Sequence, residues 1–403
     1  MFFPRLAARL RAAGARTTRI NFCLGDQLFW FGPRAINYRG SYASWPGYIE
    51  TLLRNTGVSD LILLGEQRYY HREAVAIAQR LGINVTVTDF GYLRPGWMTL
   101  ERDGMSGASQ FPRDPKVIKA LAASLPDPEC AVPGYDQALV MAKGDLLYSF
   151  STLFGRVLFP FYRRSDRRPA APLYFPACGL RLLGNAGLKA RAARFVETLT
   201  SSGASYYLFP LQLDYDFQIV AYSPYAGMKD AVREVLASFA AHAPAGTRLV
   251  LKEHPWDPGL VSWARLARRE AQRLGIAGRV DYVRGGDLKM LLRGARGVVT
   301  VNSTVGLTAL ALGRPVKTLG QAIYEIKGLT FGGTLAAFWA LGAPPDPALV
   351  KDFMRALAGT VMIRGGYFSE AGLASAVEEA CQRLLAGGII RPADDDNAPP
   401  PGP

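Results

Sequence analysis

The sequence predicts an α/β fold built from two Rossmann-type domains. Three observations lead there. Apolar runs of strand length alternate with segments whose apolar residues recur at helical spacing, the grammar of a parallel sheet joined by crossover helices. The 403 residues exceed what one hydrophobic core usually supports. Four polar clusters, at 212–216, 252–255, 302–304 and 320–321, each close a strand-like run, and in alternating sheets ligands bind where strands end and helices begin.

In chain order, strands are predicted at 20–24, 61–64 and 85–88, each apolar and bounded by Gly, Asp or Asn, with a helix at 70–81 between the last two. Residues 117–158 read mostly as helix, interrupted by Pro126, Pro128 and Pro133. The stretch 163–176 mixes charge with proline and reads as a surface loop leading to a strand near Leu173. A second series of strands follows at 206–211, 248–252, 280–283, 297–301 and 316–319, with helical patterns filling the gaps. The Ser-Ser-Gly at 201–203 marks the expected boundary, giving domains of 1–202 and 203–345, closing helices in 346–390 (at 346–357 and 370–385), and a disordered tail at 391–403 made of Pro, Asp and Gly. No internal repeat of solenoid length is present.

Composition narrows the functional classes. With 49% apolar residues the chain has material for large cores, and no run of eighteen uncharged apolar residues or secretory leader is visible, so a cytoplasmic location is expected. Cys23, Cys130, Cys178 and Cys381 lie far apart with no CxxC pair, which points to free thiols rather than a zinc site. The net charge of +14 includes Arg5, Arg9, Arg11, Arg16 and Arg19, and a second cluster at Arg163, Arg164, Arg167 and Arg168. That charge favours an anionic partner surface. Phe2, Phe3, Leu6 and Leu10 place an apolar stripe beside the first arginines, fitting either a helix lying in a membrane interface or an ordinary helix packed on its own domain. No nucleic-acid recognition motif is present, so nucleic acid is not an expected partner.

The polar clusters carry candidate chemistry. Strand alternation puts Lys252 and His254 on one side and Glu253 on the other, and Pro255 ends the run. A cation beside an imidazole at a strand's carboxyl end suits a phosphate or a ribose. Asn302, Ser303 and Thr304 stand between a strand and an apolar helix, where a hydroxyl either caps the helix or shares its amides with an anion. The cluster from Gln212 to Asp216 supplies the candidate nucleophilic carboxylate, at Asp214 or Asp216, with Asp89 or Glu101 for proton transfer to or from an acceptor hydroxyl. Gly25, Asp26 and Gln27 form a strand-end loop on the acceptor side, backed by Phe29, Trp30, Phe31, Tyr42 and Trp45, aromatics that serve either an acceptor surface or the core. Neither GxGxxG nor GxxxxGK[ST] occurs, which argues against dinucleotide and P-loop chemistry. Asp214-Tyr215-Asp216 has only the bare spacing of a metal clamp, and no metal or other cofactor is expected.

These residues resemble the bacterial capsule polysaccharide synthesis family, the KpsS and KpsC type of β-Kdo transferase. The matching marks are Gln-x-x-x-Asp at 212–216, Lys-x-His-Pro at 252–255, Ser-Thr-x-Gly-x-x-Ala-Leu at 303–310, and Gly-Arg-Pro-Val at 313–316 followed by Tyr324 and Gly-Leu-Thr at 328–330. The N-terminal Leu-Gly-Asp-Gln-Leu-Phe-Trp and Asp-Phe-Gly-Tyr-Leu-Arg at 89–94 look closer to the single-module KpsS branch, so the resemblance runs to about Ala386. It implies a GT-B-like pair of domains with parallel sheets facing a central cleft. It also implies retaining transfer of Kdo from CMP-Kdo to a (lyso)phosphatidylglycerol-type lipid at the inner face of the cytoplasmic membrane, within a capsule synthesis or export complex. Carried across by motif, Asp216 is the nucleophile, with Asp214 the alternative. Lys252 and His254 hold the CMP part, Ser303 and Thr304 meet its phosphate, and Asn302 and Gln321 complete the nucleotide side. Asp89 stands where the family usually has Glu, and Gly25, Asp26, Gln27 and Arg94 lie on the acceptor side. Two rivals remain at this point: another sugar-nucleotide transferase of the same shape, and a non-catalytic assembly protein that binds lipid-linked glycan.

Overall fold

The first helix, Phe2–Ala12, has an apolar stripe that water must be kept from, and it turns Phe2, Leu6, Ala7 and Leu10 inward. Phe2, Leu6 and Leu10 join Met98, Leu100, Ile363, Leu373 and Val377 in one core cluster. Arg5 and Arg9 on the other side pair with Glu370 at 2.7 Å and Glu378 at 2.9 Å. Of the two fates open to this stripe, packing on its own domain is the one observed. The protein is seen here as a computed structural model that describes residues 2–30, 35–128, 138–165, 167–183 and 185–387. Phe31, Cys130, Pro133 and the tail at 391–403 lie outside the described residues.

The chain divides into two compact units: one of Met1–Pro112, Ala120–Ser165 and Met354–Pro403, the other of Arg113–Lys119 and Asp166–Phe353. The expected boundary at 202 falls inside the second unit, because the helix Asn185–Ser201 packs on Leu288–Gly294 of that unit. The closing helices divide too: Glu370–Leu385 packs on Phe2–Ala12 and belongs to the first unit.

In the first unit, β1 (Arg19–Asn21) pairs in parallel with β2 (Ala35–Asn37) as a separate ribbon. β3 (Asp60–Leu64) and β4 (Asn84–Phe90) are parallel and joined by the helix Tyr69–Arg80, close to the spans expected. β5 (Trp97–Arg102) then returns antiparallel to β4. The reversal needs glycine at 91, where a Cβ would meet the Trp97 carbonyl, and at 96, where φ is +94°. The run 171–183, expected to contain a strand near Leu173, is the helix Ala171–Leu183. Pro172 lies in its first turn, where a missing N–H costs little, and the run is longer than a strand.

The second unit carries β6 (Tyr206–Pro210), β7 (Arg248–Lys252), β8 (Val280–Val283), β9 (Gly297–Thr300) and β10 (Val316–Thr318), in the sheet order β10-β9-β6-β7-β8 and parallel throughout. Every residue of β6 and β9 is buried, as expected of central parallel strands covered on both faces. Tyr207, Phe209, Leu249 and Leu251 pack against Val235, Phe239, Phe338 and Trp339 on one face. The chain runs from β6 outward to β8, then crosses back to β9 on the other side of β6. That reversal opens a crevice at the carboxyl ends of β6 and β9.

The chain finally returns to the first unit, where β11 (Met362–Arg364) pairs antiparallel with β5 and completes the order β11-β5-β4-β3. The first unit's main sheet is therefore mixed, not parallel as expected, because β5 and β11 are short strands reached by a tight turn and a distant chain segment. No described helix is long and apolar enough to cross a membrane.

Candidate functional site

Two side-chain amides bridge the reversal. Gln212, two residues past β6, donates from Nε2 to Asn302 Oδ1 at 3.0 Å, and its Oε1 accepts the Asn302 backbone N–H at 3.1 Å. Asn302 Nδ2 donates in turn to the Gln218 carbonyl at 2.7 Å. Both residues are buried. Asn302, expected on the nucleotide side, thus forms the floor of the crevice, with its amide engaged by protein. Gln218 Oε1, beside it, is buried without a hydrogen-bond partner among the described residues.

Lys252 ends β7 next to this floor and is only 7% exposed. It has no hydrogen-bond or ion-pair partner among the described residues. Burial lowers its pKa, partly opposed by the charges of Glu253 and Asp287. Glu253 turns elsewhere, as alternation predicts: it is bound by Arg181 and the Tyr282 hydroxyl, with Arg284 at 3.6 Å. Burial raises its pKa and Arg181 opposes the rise. A buried ammonium with no directly bonded partner is costly, and an anion entering beside it would relieve that cost. His254 follows at the strand end, its Nδ1 accepting the Trp256 N–H at 3.1 Å, which leaves the ring proton on Nε2 in the neutral form.

Ser303 Oγ accepts the Val305 N–H at 3.2 Å, and its carbonyl accepts the Tyr324 hydroxyl. Thr304 occupies the cap position of the helix Val305–Ala311 without a side-chain cap bond. Gly306 is compulsory, since a Cβ there would strike the Tyr324 ring. Gln321 is exposed, and its backbone N–H donates to the Tyr222 carbonyl at 2.7 Å.

The two aspartates have different duties. Asp214 accepts the Met228 N–H at 2.8 Å and so caps the fifteen-residue helix Met228–His242, whose own cap position is Gly227. Asp216 caps the short helix Phe217–Tyr222, accepting the Gln218 N–H at 2.9 Å, and is half-buried.

In the first unit, Asp89 lies at the end of β4, its Oδ1 accepting the Phe90 N–H at 2.7 Å. Burial raises its pKa, opposed by that bond and by the charges of Arg68 and Arg94. Arg94 donates to the Gly91 carbonyl at 3.1 Å and stands 5.3 Å over the Phe90 ring. Beside β3 lies a residue the sequence reading missed: His71, whose Nδ1 sits 3.0 Å from the Leu64 carbonyl and 2.9 Å from the Gly65 carbonyl. Burial, aided by Arg68, pushes its pKa down to about 4, so it is neutral at pH 7 and donates from Nδ1. Its position at a strand-to-helix junction, in a chain with three histidines, was the available signal.

Other candidates are held by contacts within the protein. Glu101 is buried and accepts hydrogen bonds from the hydroxyls of Tyr92 and Ser109. Gly25 permits close approach of helices, since a Cβ would lie 2.6 Å from Thr152 Oγ1. Asp26 accepts the Phe22 N–H at 2.9 Å and the Tyr148 hydroxyl at 3.1 Å, while Gln27 caps Cys23 only through its backbone N–H, at 3.2 Å. Of the aromatics, Trp45 is buried in the core against Phe22 at 4.9 Å, and the half-buried Tyr42 packs on Tyr70 at 5.3 Å.

A parallel sheet whose strand order reverses between β6 and β9, with a buried lysine at the end of the neighbouring strand, defines an α/β protein of the kind that binds ligands at such reversals. Residues 59–368 match the family described as "Capsule polysaccharide biosynthesis protein", and the chain belongs to that family. It is 32% identical over 372 residues to the Escherichia coli "Capsule polysaccharide export protein KpsS", covering 91% of this chain and 94% of that one. It is 30% identical to the "Capsule polysaccharide modification protein LipB" of Neisseria meningitidis serogroup A, covering 92% and 89%. Among solved structures, the β-Kdo 2,7 transferase KpsC of Thermosulfurimonas dismutans matches with a TM-score of 0.45 and 15% identity, covering 92% of this chain and 99% of that one.

Proposed function

We propose that the protein is a retaining β-Kdo transferase that uses CMP-Kdo to place Kdo on a (lyso)phosphatidylglycerol-type lipid during capsule linker synthesis. The observation that carries this reading is the buried Lys252, with no hydrogen-bond or ion-pair partner among the described residues, beside the Gln212–Asn302 bridge. A leaving group that keeps its phosphate suits such a site, because the fixed charge stabilises the negative charge released on departure. His254, Ser303, Thr304 and Gln321 complete the nucleotide side in this reading.

In the first step the Asp216 carboxylate attacks the anomeric carbon, and the bond to the phosphate oxygen breaks with its electron pair leaving on CMP. In the second, the acceptor hydroxyl attacks the glycosyl ester, its proton passes to a base, and Asp216 is regenerated. Asp89 is the proposed base, with Arg94 on the acceptor side; a carboxyl whose pKa is raised by burial is better matched to proton transfer near neutral pH. The acceptor places the protein at the inner surface of the cytoplasmic membrane, alongside the capsule export machinery.

The test is incubation with CMP-Kdo and a synthetic lysophosphatidylglycerol, followed by mass analysis. A gain of one Kdo supports the reading. Thermal stabilisation by UDP or GDP and none by CMP overturns the donor, since only a ligand of the native state raises its melting point. Lys252→Met is expected to abolish stabilisation by CMP while leaving the ligand-free melting temperature equal or higher, because it removes a desolvated charge.

A further inference from the structure

We propose that the outward face of the helix Ala138–Phe154, continued to Phe161, is the surface that seats the protein in the interface of an anionic bilayer. The inference deepens the lipid-acceptor reading above and rests on it for its biological setting. The inner side of this helix is occupied: Tyr148 and Thr152 pack on Gly25, and Gly155 on Leu24, of the helix Leu24–Phe29. The outer side is apolar and uncovered. Leu147 is 56% exposed, Phe154 72%, Val157 88% and Phe161 64%. Val140, Leu147 and Phe154 recur every seven residues and share one face of the helix, and Val157 and Phe161 continue the exposed apolar surface in the turns beyond it.

An exposed apolar stripe of this size is rare on a soluble protein unless it meets something. Charge identifies what it meets. Lys143 and Arg156 are exposed on the same segment, Arg163 lies just beyond it against the rings of Tyr42 and Tyr69, and Asp145 is the sole acid from 138 to 164. Basic residues flanking Phe and Leu are the pattern of a segment lying in a membrane surface, where the side chains enter the acyl boundary and the cations meet lipid phosphates. A second copy of this chain is disfavoured as the occupant: in a twofold contact the same cations would face one another, in a protein of net charge +14. The stripe on Phe2–Ala12, for which a membrane interface was one of two readings, is buried.

The test is flotation of the full-length protein with phosphatidylcholine vesicles, with and without phosphatidylglycerol, comparing wild type with the combined variant Leu147→Glu, Phe154→Glu and Val157→Glu. All three positions are exposed, so an unchanged melting temperature is expected. Wild type should float with the anionic vesicles in a salt-sensitive way, and the variant should lose at least about tenfold in partitioning. Equal flotation of the two proteins overturns the proposal, as does a wild type indifferent to anionic vesicles, or a variant that only dissolves an oligomer. If the triple variant fails to fold, Phe154→Trp serves instead: brominated lipid must quench its emission beyond that of wild type. The result is separable from the donor reading, since vesicle binding needs no CMP-Kdo and stabilisation by CMP needs no vesicle.

Discussion

At the residue scale, two aspartates one residue apart are distinguished by which amide each one holds. Asp214 caps a long helix from a distance, whereas Asp216 caps its own six-residue helix. Asparagine caps as well as aspartate but cannot attack an anomeric carbon. Asp216→Asn should therefore leave the melting temperature near that of wild type and reduce Kdo transfer to background. Asp214→Ala should cost about 1 kcal/mol of stability, seen in chemical denaturation, and keep measurable transfer. Transfer that survives Asp216→Asn but not Asp214→Ala would exchange the two roles. If capsule production in cells is unaffected by Asp216→Asn, the non-catalytic assembly role takes over.

At the element scale, the first helix holds the sheet of its unit together with the last. Leu6, buried with Met98 and Leu373, is its central anchor. Leu6→Ala should destabilise by about 2–5 kcal/mol in denaturant titration, while leaving flotation on anionic vesicles intact in the fraction that stays folded. The elements that sequence predicted well are those whose pattern alone selects one state. The strands β7 and β8 and the helix Glu370–Leu385 end at the residues expected, because Gly246 and Pro255 flank β7, Gly285 and Gly286 follow β8, and Ser369 caps the helix. β5 and β11 were missed because their stability is not local: β11 is three residues long and exists through a partner more than 250 positions away, as Met362 faces Thr99. The helix Ala171–Leu183 was misread because its prolines weigh against helix in a window that does not see where the helix begins. Within the site, Lys252 and its separation from Glu253 were legible through strand alternation. The engagement of Asn302 by Gln212 was not, since it depends on β9 returning beside β6.

At the scale of the whole molecule, the two units should respond to different variables. Lys252, Gln212, Asn302 and Thr304 all belong to the second unit, and Asp89 and His71 to the first. A nucleotide held by the β6–β9 crevice stabilises only the structure it touches. Acid acts on the first unit, and its sign follows from His71. The folded unit holds that ring at a pKa of about 4, below its ordinary value of 6.5, so the folded state binds fewer protons than the unfolded chain between those limits. Its contribution is complete above pH 6.5 and declines as the pH falls toward 4. Hydrogen exchange at pH 7 with CMP added should therefore slow the amides of β6, β7 and β9 and leave those of β3 and β4 unchanged. Lowering the pH toward 5, after correction for intrinsic rates, should loosen β3 and β4 first, and His71→Gln should remove that response. Protection by CMP appearing on β3 and β4 but not on β6 would move the nucleotide site to the other unit, and with it the role assigned to Lys252.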